Sequence, residues 1–339
     1  MTDEAPIIET RGLVKRFSDV DAVAGIDLRV PSGGVYGFLG PNGAGKTTTI
    51  RILLALIRPT RGTSLLFGEP VASGAAVLRR VGALVERPAF YPYLSALDNL
   101  RVIGSTRSMP AAEIARRAPE ALERVGLADA ARRKAGRFST GMRQRLGIAA
   151  ALLDRPELVI LDEPTNGLDP SGVVDVRALI AGLARDGTTL FLSSHVLPEV
   201  EQLCDRVAIL QAGRIIAEGE TQAMLRAGER LFVRFDSAED AARARPILEG
   251  LGPVEVDLGH GAAASPGSAG GQPSPGTALL VDTEVGGSEV VRRLTAAGIY
   301  PAELSLRRPS LESVFIELTA DHAADRAADH PANDAGAAA

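Results

Sequence analysis

A chain of 339 residues, 45% of them hydrophobic, has material for a large core and, on ordinary domain sizes, for about two domains. A formal charge of −5 excludes the broad basic surface that draws nucleic acid or an anionic bilayer. The single cysteine, Cys204, excludes an internal disulfide framework, fits a reducing compartment and reads as a structural residue.

The N-terminal MTDEAPIIE is acidic where a secretory signal is basic and then apolar, and no apolar run approaches the ~18 residues of a membrane span. The expectation is a cytoplasmic chain that can still dock onto a membrane protein. Phe17, in LVKRFSDVDAV, reads either as a core aromatic or as a platform for a base, since such stacking contributes about 1–3 kcal/mol per base in single-strand binders.

The run GGVYGFLG predicts a buried strand, and directly after it GPNGAGKT, Gly40 to Thr47, matches G-x-x-x-x-G-K-[ST] ahead of a helix TTTIRILLALI. Gly40, Asn42, Gly43, Ala44 and Gly45 form the loop whose backbone N–H groups curl around phosphate oxygens, and Thr48 belongs to the first helical turn. Lys46 is expected to reach the β and γ phosphates, and Thr47 to offer its hydroxyl to Mg²⁺. Of 37 basic residues only Lys15, Lys46 and Lys134 are lysines. A chain that uses arginine almost everywhere keeps a compact ammonium here, where a planar fork does not fit.

An Ala- and Arg-rich stretch including PAAEIARRAPEALERVGL has helical periodicity and predicts a helical insertion at about 89–156. Within it FSTGMRQRLGIA looks built for a second anion: Ser139 can cap a helix and Gly141 lets the backbone approach a ligand. ELVILDEP then predicts a buried strand ending in Asp162 and Glu163, placed to hold magnesium and to activate water respectively. His195 follows the next apolar strand, GTTLFLSSH, where a γ-phosphate can be sensed. Buried strands of this kind predict a mainly parallel sheet with chemistry at its carboxyl ends.

After Gly219 short strands RLFVRF, PVEVDL, TALLVDTE and AELSLRR alternate with two helices, which predicts a small α+β accessory domain at about 221–320. A Gly/Ser/Pro/Ala insert at about 259–277 and a tail at 321–339 have compositions that predict disorder. His260, His322 and His330 fall in or near these segments and receive no role.

The series GPNGAGKT, FSTGMRQRLGIA, LVILDEP, NGLD and His195 resembles the ATP-binding cassette family of transport ATPases, over about residues 7–220. The resemblance implies an α/β P-loop NTPase fold with a RecA-like core in a domain at 1–220, the helical insertion, and ATP with Mg²⁺ as ligands. It also implies a head-to-tail pair of cassettes, a homodimer here, in which Ser139 and Gly141 meet the ATP held by the partner. Phe17 becomes the adenine-stacking residue, His195 the γ-phosphate contact, and Asp169 of NGLD the residue that crosses the interface, with Arg143 and Gln144 supporting the signature helix.

Two positions depart from the family pattern. Thr140 stands where the signature has a second glycine, and Glu86, in VGALVERPAFYPYLSALDNL, stands where a glutamine normally touches Mg²⁺ and water. A carboxylate there can bind the metal more strongly than an amide, so Glu86 counts as both a catalytic and a metal candidate. This replacement, the appended domain and RRPSLESVFIELT are similar to the branch that exports antibiotics, of bacitracin and daunorubicin type. Phe90, Tyr91 and Tyr93 are then expected to receive an integral membrane permease on the inner face of the membrane, since aromatics concentrate at interface cores; the alternative is packing within the insertion. A soluble regulatory cassette is the alternative function, and a GTPase is disfavoured by the lack of an Asn-Lys-x-Asp motif.

Overall fold

The computed structural model describes residues 5–86, 88–256, 277–283, 285–316 and 318–319. Apart from Thr277 the low-complexity insert lies outside the described residues, as does the tail. The chain divides into two compact units between Thr221 and Gln222.

In the first unit the strands are β1 Ile8–Phe17, β2 Val20–Val30 and β3 Val35–Leu39, then helix α1 Lys46–Leu53. There follow β4 Arg61–Leu66, β5 Glu69–Pro70, β6 Val81–Leu84 and helices α2 Ala96–Thr106, α3 Ala111–Arg124 and α4 Thr140–Leu152. The unit continues with β7 Leu158–Asp162, α5 Pro170–Arg185, β8 Thr189–Ser194, α6 Leu197–Leu203, β9 Arg206–Gln211 and β10 Arg214–Glu220. Helix α7, Thr221–Ala227, spans the division.

The central sheet has the order β10-β9-β3-β8-β7-β6, and every pair is parallel except β10 with β9. Each residue of β3, β7 and β8 is buried, so the continuous apolar runs reflect strands covered on both faces. Their common polarity sends Gly40, Asp162 and His195 out of the sheet at one end. Phe38 and Tyr36 of β3 stack on Phe191 of β8 at 5.3 and 5.8 Å and fix the sheet beneath that end.

A second, antiparallel sheet, β2-β1-β4-β5, was not among the expected strands. Its β1 and β2 mix buried residues such as Leu13 and Ile26 with exposed charged ones, so they carry no unbroken apolar run. One hydrophobic cluster joins this sheet through Ile50 and Leu53 of α1 to Ile160 and Phe191. Helices α2 to α4 fill the interval between β6 and β7, and α4 lies against β6 at Gly82, where a Cβ would stand 2.3 Å from the Ala151 carbonyl oxygen.

The second unit contains β11 Arg230–Arg234, α8 Ala238–Glu249, β12 Val254–Val256, β13 Ala278–Val281, α9 Gly287–Ala296 and β14 Glu303–Arg307. The order β12-β13-β11-β14, antiparallel throughout, makes it a βαββαβ ferredoxin-like fold. Val233 and Val281 pack beneath Leu248 of α8 and Leu294 of α9.

Candidate nucleotide site

The glycine loop keeps its shape by close backbone approach. Gly45 caps α1 with φ 106°, and a Cβ there would meet the Ala22 carbonyl oxygen at 2.4 Å; at Gly40 a Cβ would meet the Leu210 carbonyl oxygen at 2.4 Å. Ala44 is buried and hydrogen-bonds back to Pro41, which leaves Asn42 and Gly43 exposed at the crown of the loop. Thr48, in the first turn of α1, is half-buried.

Lys46 is only 5% exposed. Its Nζ donates to the carbonyls of Gly40 at 2.7 Å and Pro41 at 3.2 Å and pairs with Glu163 Oε1 at 3.2 Å. Thr47 Oγ1 donates to Asp162 Oδ2 at 2.8 Å, and Ser193 Oγ donates to the other oxygen, Oδ1. The Glu163 N–H in turn donates to Ser193 Oγ at 3.0 Å, while Glu163 Oε2 lies 2.6 Å from His195 Nδ1. Glu163 holds φ 51°, a left-handed conformation uncommon outside glycine that gathers at functional sites. The ends of β3, β7 and β8 thus bring Lys46, Thr47, Asp162, Glu163 and His195 into one cluster.

Ser193 at the centre of that cluster was missed from the sequence. Its signal is a polar pair, Ser193–Ser194, closing an otherwise apolar buried strand. Thr165 and Glu199 were missed as well: the Thr165 hydroxyl donates to Glu199 at 2.6 Å and ties the loop after Glu163 to the helix after His195.

The signature residues form a second group. Ser139 caps α4 and accepts from the Met142 N–H at 3.2 Å, while Arg143 donates to the Phe138 carbonyl at 2.7 Å and Gln144 is buried. Asp169 caps α5 through the Gly172 N–H at 3.1 Å, and a Cβ built on Gly141 would stand 3.9 Å from Gly172, so the starts of α4 and α5 adjoin. Among the described residues Ser139, Gly141 and Asp169 make no hydrogen bond to the Lys46 cluster.

Phe17 ends β1 and is 48% exposed, with Lys15 Nζ over one face of its ring at 4.9 Å from the centroid, so it lies outside the core. Glu86 does not join Thr47 and Asp162; its carboxylate pairs with Arg51 of α1. Beyond it Phe90 is half-buried, and Tyr91 and Tyr93 are 50% and 64% exposed with rings 5.8 Å apart. Buried Asn99 pins this aromatic loop, accepting from the Tyr91 N–H at 2.8 Å and donating to the carbonyls of Tyr91 and Ser95 at 3.1 and 2.9 Å.

The ABC transporter family model matches residues 23–166. The daunorubicin resistance ATP-binding protein DrrA3 of Streptomyces coeruleorubidus is 39% identical over 95% of this chain and 98% of its own length. The bacitracin transport ATP-binding protein BcrA of Bacillus licheniformis is 47% identical over 62% of this chain and 69% of its own. Among solved structures CbiO1 of Clostridium perfringens, described as part of the ABC transporter complex cbiONQ, superposes with a TM-score of 0.60 at 27% identity, covering 66% of this chain and 92% of that one. With its phosphate loop, paired carboxylates and histidine gathered at one sheet end, and a relative matched along nearly its whole length, this chain belongs to the ATP-binding cassette family as the ATP-binding, ATPase subunit of an ABC transporter.

Proposed function

We propose that two copies of this chain close on ATP and use its hydrolysis to drive export of a small, antibiotic-like molecule through a separate integral membrane protein. Residues 1–220 act as the nucleotide-binding domain, with 89–156 as its helical part, and 221–320 as an accessory domain. The observation that carries the reading is the convergence of Lys46 and His195 on the two oxygens of Glu163.

The loop from Gly40 to Thr48 cradles the phosphates, with Lys46 directed at the β and γ groups. The Thr47 hydroxyl and the Asp162 carboxylate, 2.8 Å apart, form an all-oxygen donor set that suits a hard divalent cation, so these two residues would hold Mg²⁺. When bound, that ion supplies neutralisation of phosphate charge. Glu163 accepts the proton of the attacking water as its oxygen bonds to the γ-phosphorus and the bond to the β-phosphate oxygen breaks. Lys46 at Oε1 and His195 at Oε2 hold the carboxylate for that transfer. Phe17 stacks on the adenine.

Ser139 and Gly141, with the start of α4, complete the site of the other copy, and Asp169 crosses beside them; the adjoining starts of α4 and α5 support this grouping. The relatives named for daunorubicin resistance and bacitracin transport support export as the direction. Among the described residues no helix is long and apolar enough to cross a membrane. In this reading the permease is a separate subunit, contacted at the inner face of the membrane.

Glu163→Gln is expected to lower ATP turnover by about 10²–10⁴-fold while nucleotide still binds and the dimer is trapped, measured by phosphate release and sedimentation. Turnover at the normal rate excludes Glu163 as the base. Phe90, Tyr91 and Tyr93 dock the permease, and Tyr91→Ala is expected to lose co-purification with it; normal assembly and transport would remove that assignment.

A further inference from the structure

Arg51 lies in the helix TTTIRILLALI that follows the phosphate loop, and its place there is informative. It follows Thr47 by four residues on α1, so the two side chains share one face of the helix. From that face Thr47 reaches Asp162 at the end of β7, and Arg51 reaches Glu86 just past the end of β6. Strands β6 and β7 run parallel with Leu84 opposite Leu161, so Glu86 leaves the sheet at the same end as Asp162 and Glu163. At Glu86, φ 61°, the chain turns away toward Tyr91 and Tyr93.

The aromatic loop therefore has two anchors of different kinds. Asn99, 1% exposed, holds it through backbone hydrogen bonds inside the helical insertion. The Arg51–Glu86 pair, with side chains 40% and 59% exposed, holds its other end to the helix of the phosphate loop. An exposed pair of this kind adds little to stability, so what it contributes is position and charge.

We infer that Arg51 is a positioning residue that tethers Glu86 and the aromatic loop to the phosphate-loop helix and neutralises the Glu86 charge at the edge of the nucleotide site. The inference rests on the reading of Lys46, Thr47 and Asp162 as that site. It makes Glu86 half of a pair and not a bare extra charge at that end of the sheet, and it links the helix after the phosphate loop to the surface proposed for the permease.

The test uses the full chain as wild type, Arg51→Gln, Glu86→Gln and the double variant, with two readouts. In the first, Mg²⁺ is titrated against binding of a fluorescent ATP analogue. Arg51→Gln is expected to lower the half-saturating Mg²⁺ about three- to fivefold with Glu86 present, because it frees a nearby negative charge, and less than twofold with glutamine at 86. Arg51→Lys, which keeps the charge, is expected to restore the wild-type midpoint. The second readout is chymotrypsin cleavage after Tyr91 and Tyr93 without nucleotide, which Arg51→Gln and Glu86→Gln should each speed several-fold at an unchanged thermal midpoint. If either shift is missing, or the Mg²⁺ shift is as large with glutamine at 86, the inference is overturned. A Mg²⁺ titration unaffected by Thr47→Ala instead sinks the reading of the site, and the nucleotide-free cleavage then decides alone whether Arg51 holds the loop.

Discussion

The two units each contain a sheet covered by helices, but only one gathers chemistry at its end. In the first, parallel strands all release the chain on the same edge, so Lys46, Asp162, Glu163 and His195 arrive together over a buried core. In the second, neighbouring strands run antiparallel, so the chain leaves the sheet at both edges, and charged residues on the strands pair over its face: Arg230 of β11 with Glu255 of β12 at 2.6 Å, and Arg234 with its β14 neighbour Glu303 at 3.4 Å. Charges spread along a sheet face pair at separate points, whereas charges delivered to one edge, paired as Lys46 and Glu163 are, lie together where one ligand can meet them all.

Substitutions can break or sharpen this contrast. The largest effect is expected from Phe191→Ala, which removes a fully buried ring between Tyr36 and Phe38 and should cost about 3–5 kcal/mol of the first unit's stability along with nucleotide binding. Leu248→Ala should cost about 2–5 kcal/mol in the second unit, measured by calorimetry, with nucleotide binding retained. Cys204 distinguishes the two: burial, then the charge of Asp205, pushes its thiol up, so it stays inert to thiol reagents while the first unit is folded. Phe191→Ala should therefore expose a reactive thiol at temperatures where Leu248→Ala leaves it protected. If Leu248→Ala abolishes nucleotide binding, the units do not divide their work as described. The smallest effect belongs to Arg230→Gln, whose pair with Glu255 is exposed and should be worth less than about 1 kcal/mol in denaturant unfolding.

How legible the site was follows from which contacts are local. The glycine loop, the helix after it and the capped start of α4 are short-range patterns, since each depends on backbone conformations that neighbouring residues impose. Asp162, Glu163 and His195 were legible as strand endings. Ser193 was not, because its role as donor to Asp162 and acceptor from Glu163 exists only when β7 and β8 lie side by side. The antiparallel sheet escaped for a related reason: its half-exposed strands lack the unbroken apolar runs that marked the buried ones.

By itself the amino-acid order determined the buried strands, the phosphate loop, the helix caps and the family resemblance, all of which are written in spacings of a few residues. Tertiary structure alone decided that Glu86 faces Arg51 instead of Thr47 and Asp162, that Phe17 lies outside the core, and that Ser193 sits between two carboxylate-bearing positions. The first and last of these depend on pairs far apart in the chain, Arg51 with Glu86 at a separation of 35 and Ser193 with Glu163 at 30. Which long side chain meets which is set by strand order and register, and no local pattern carries that information.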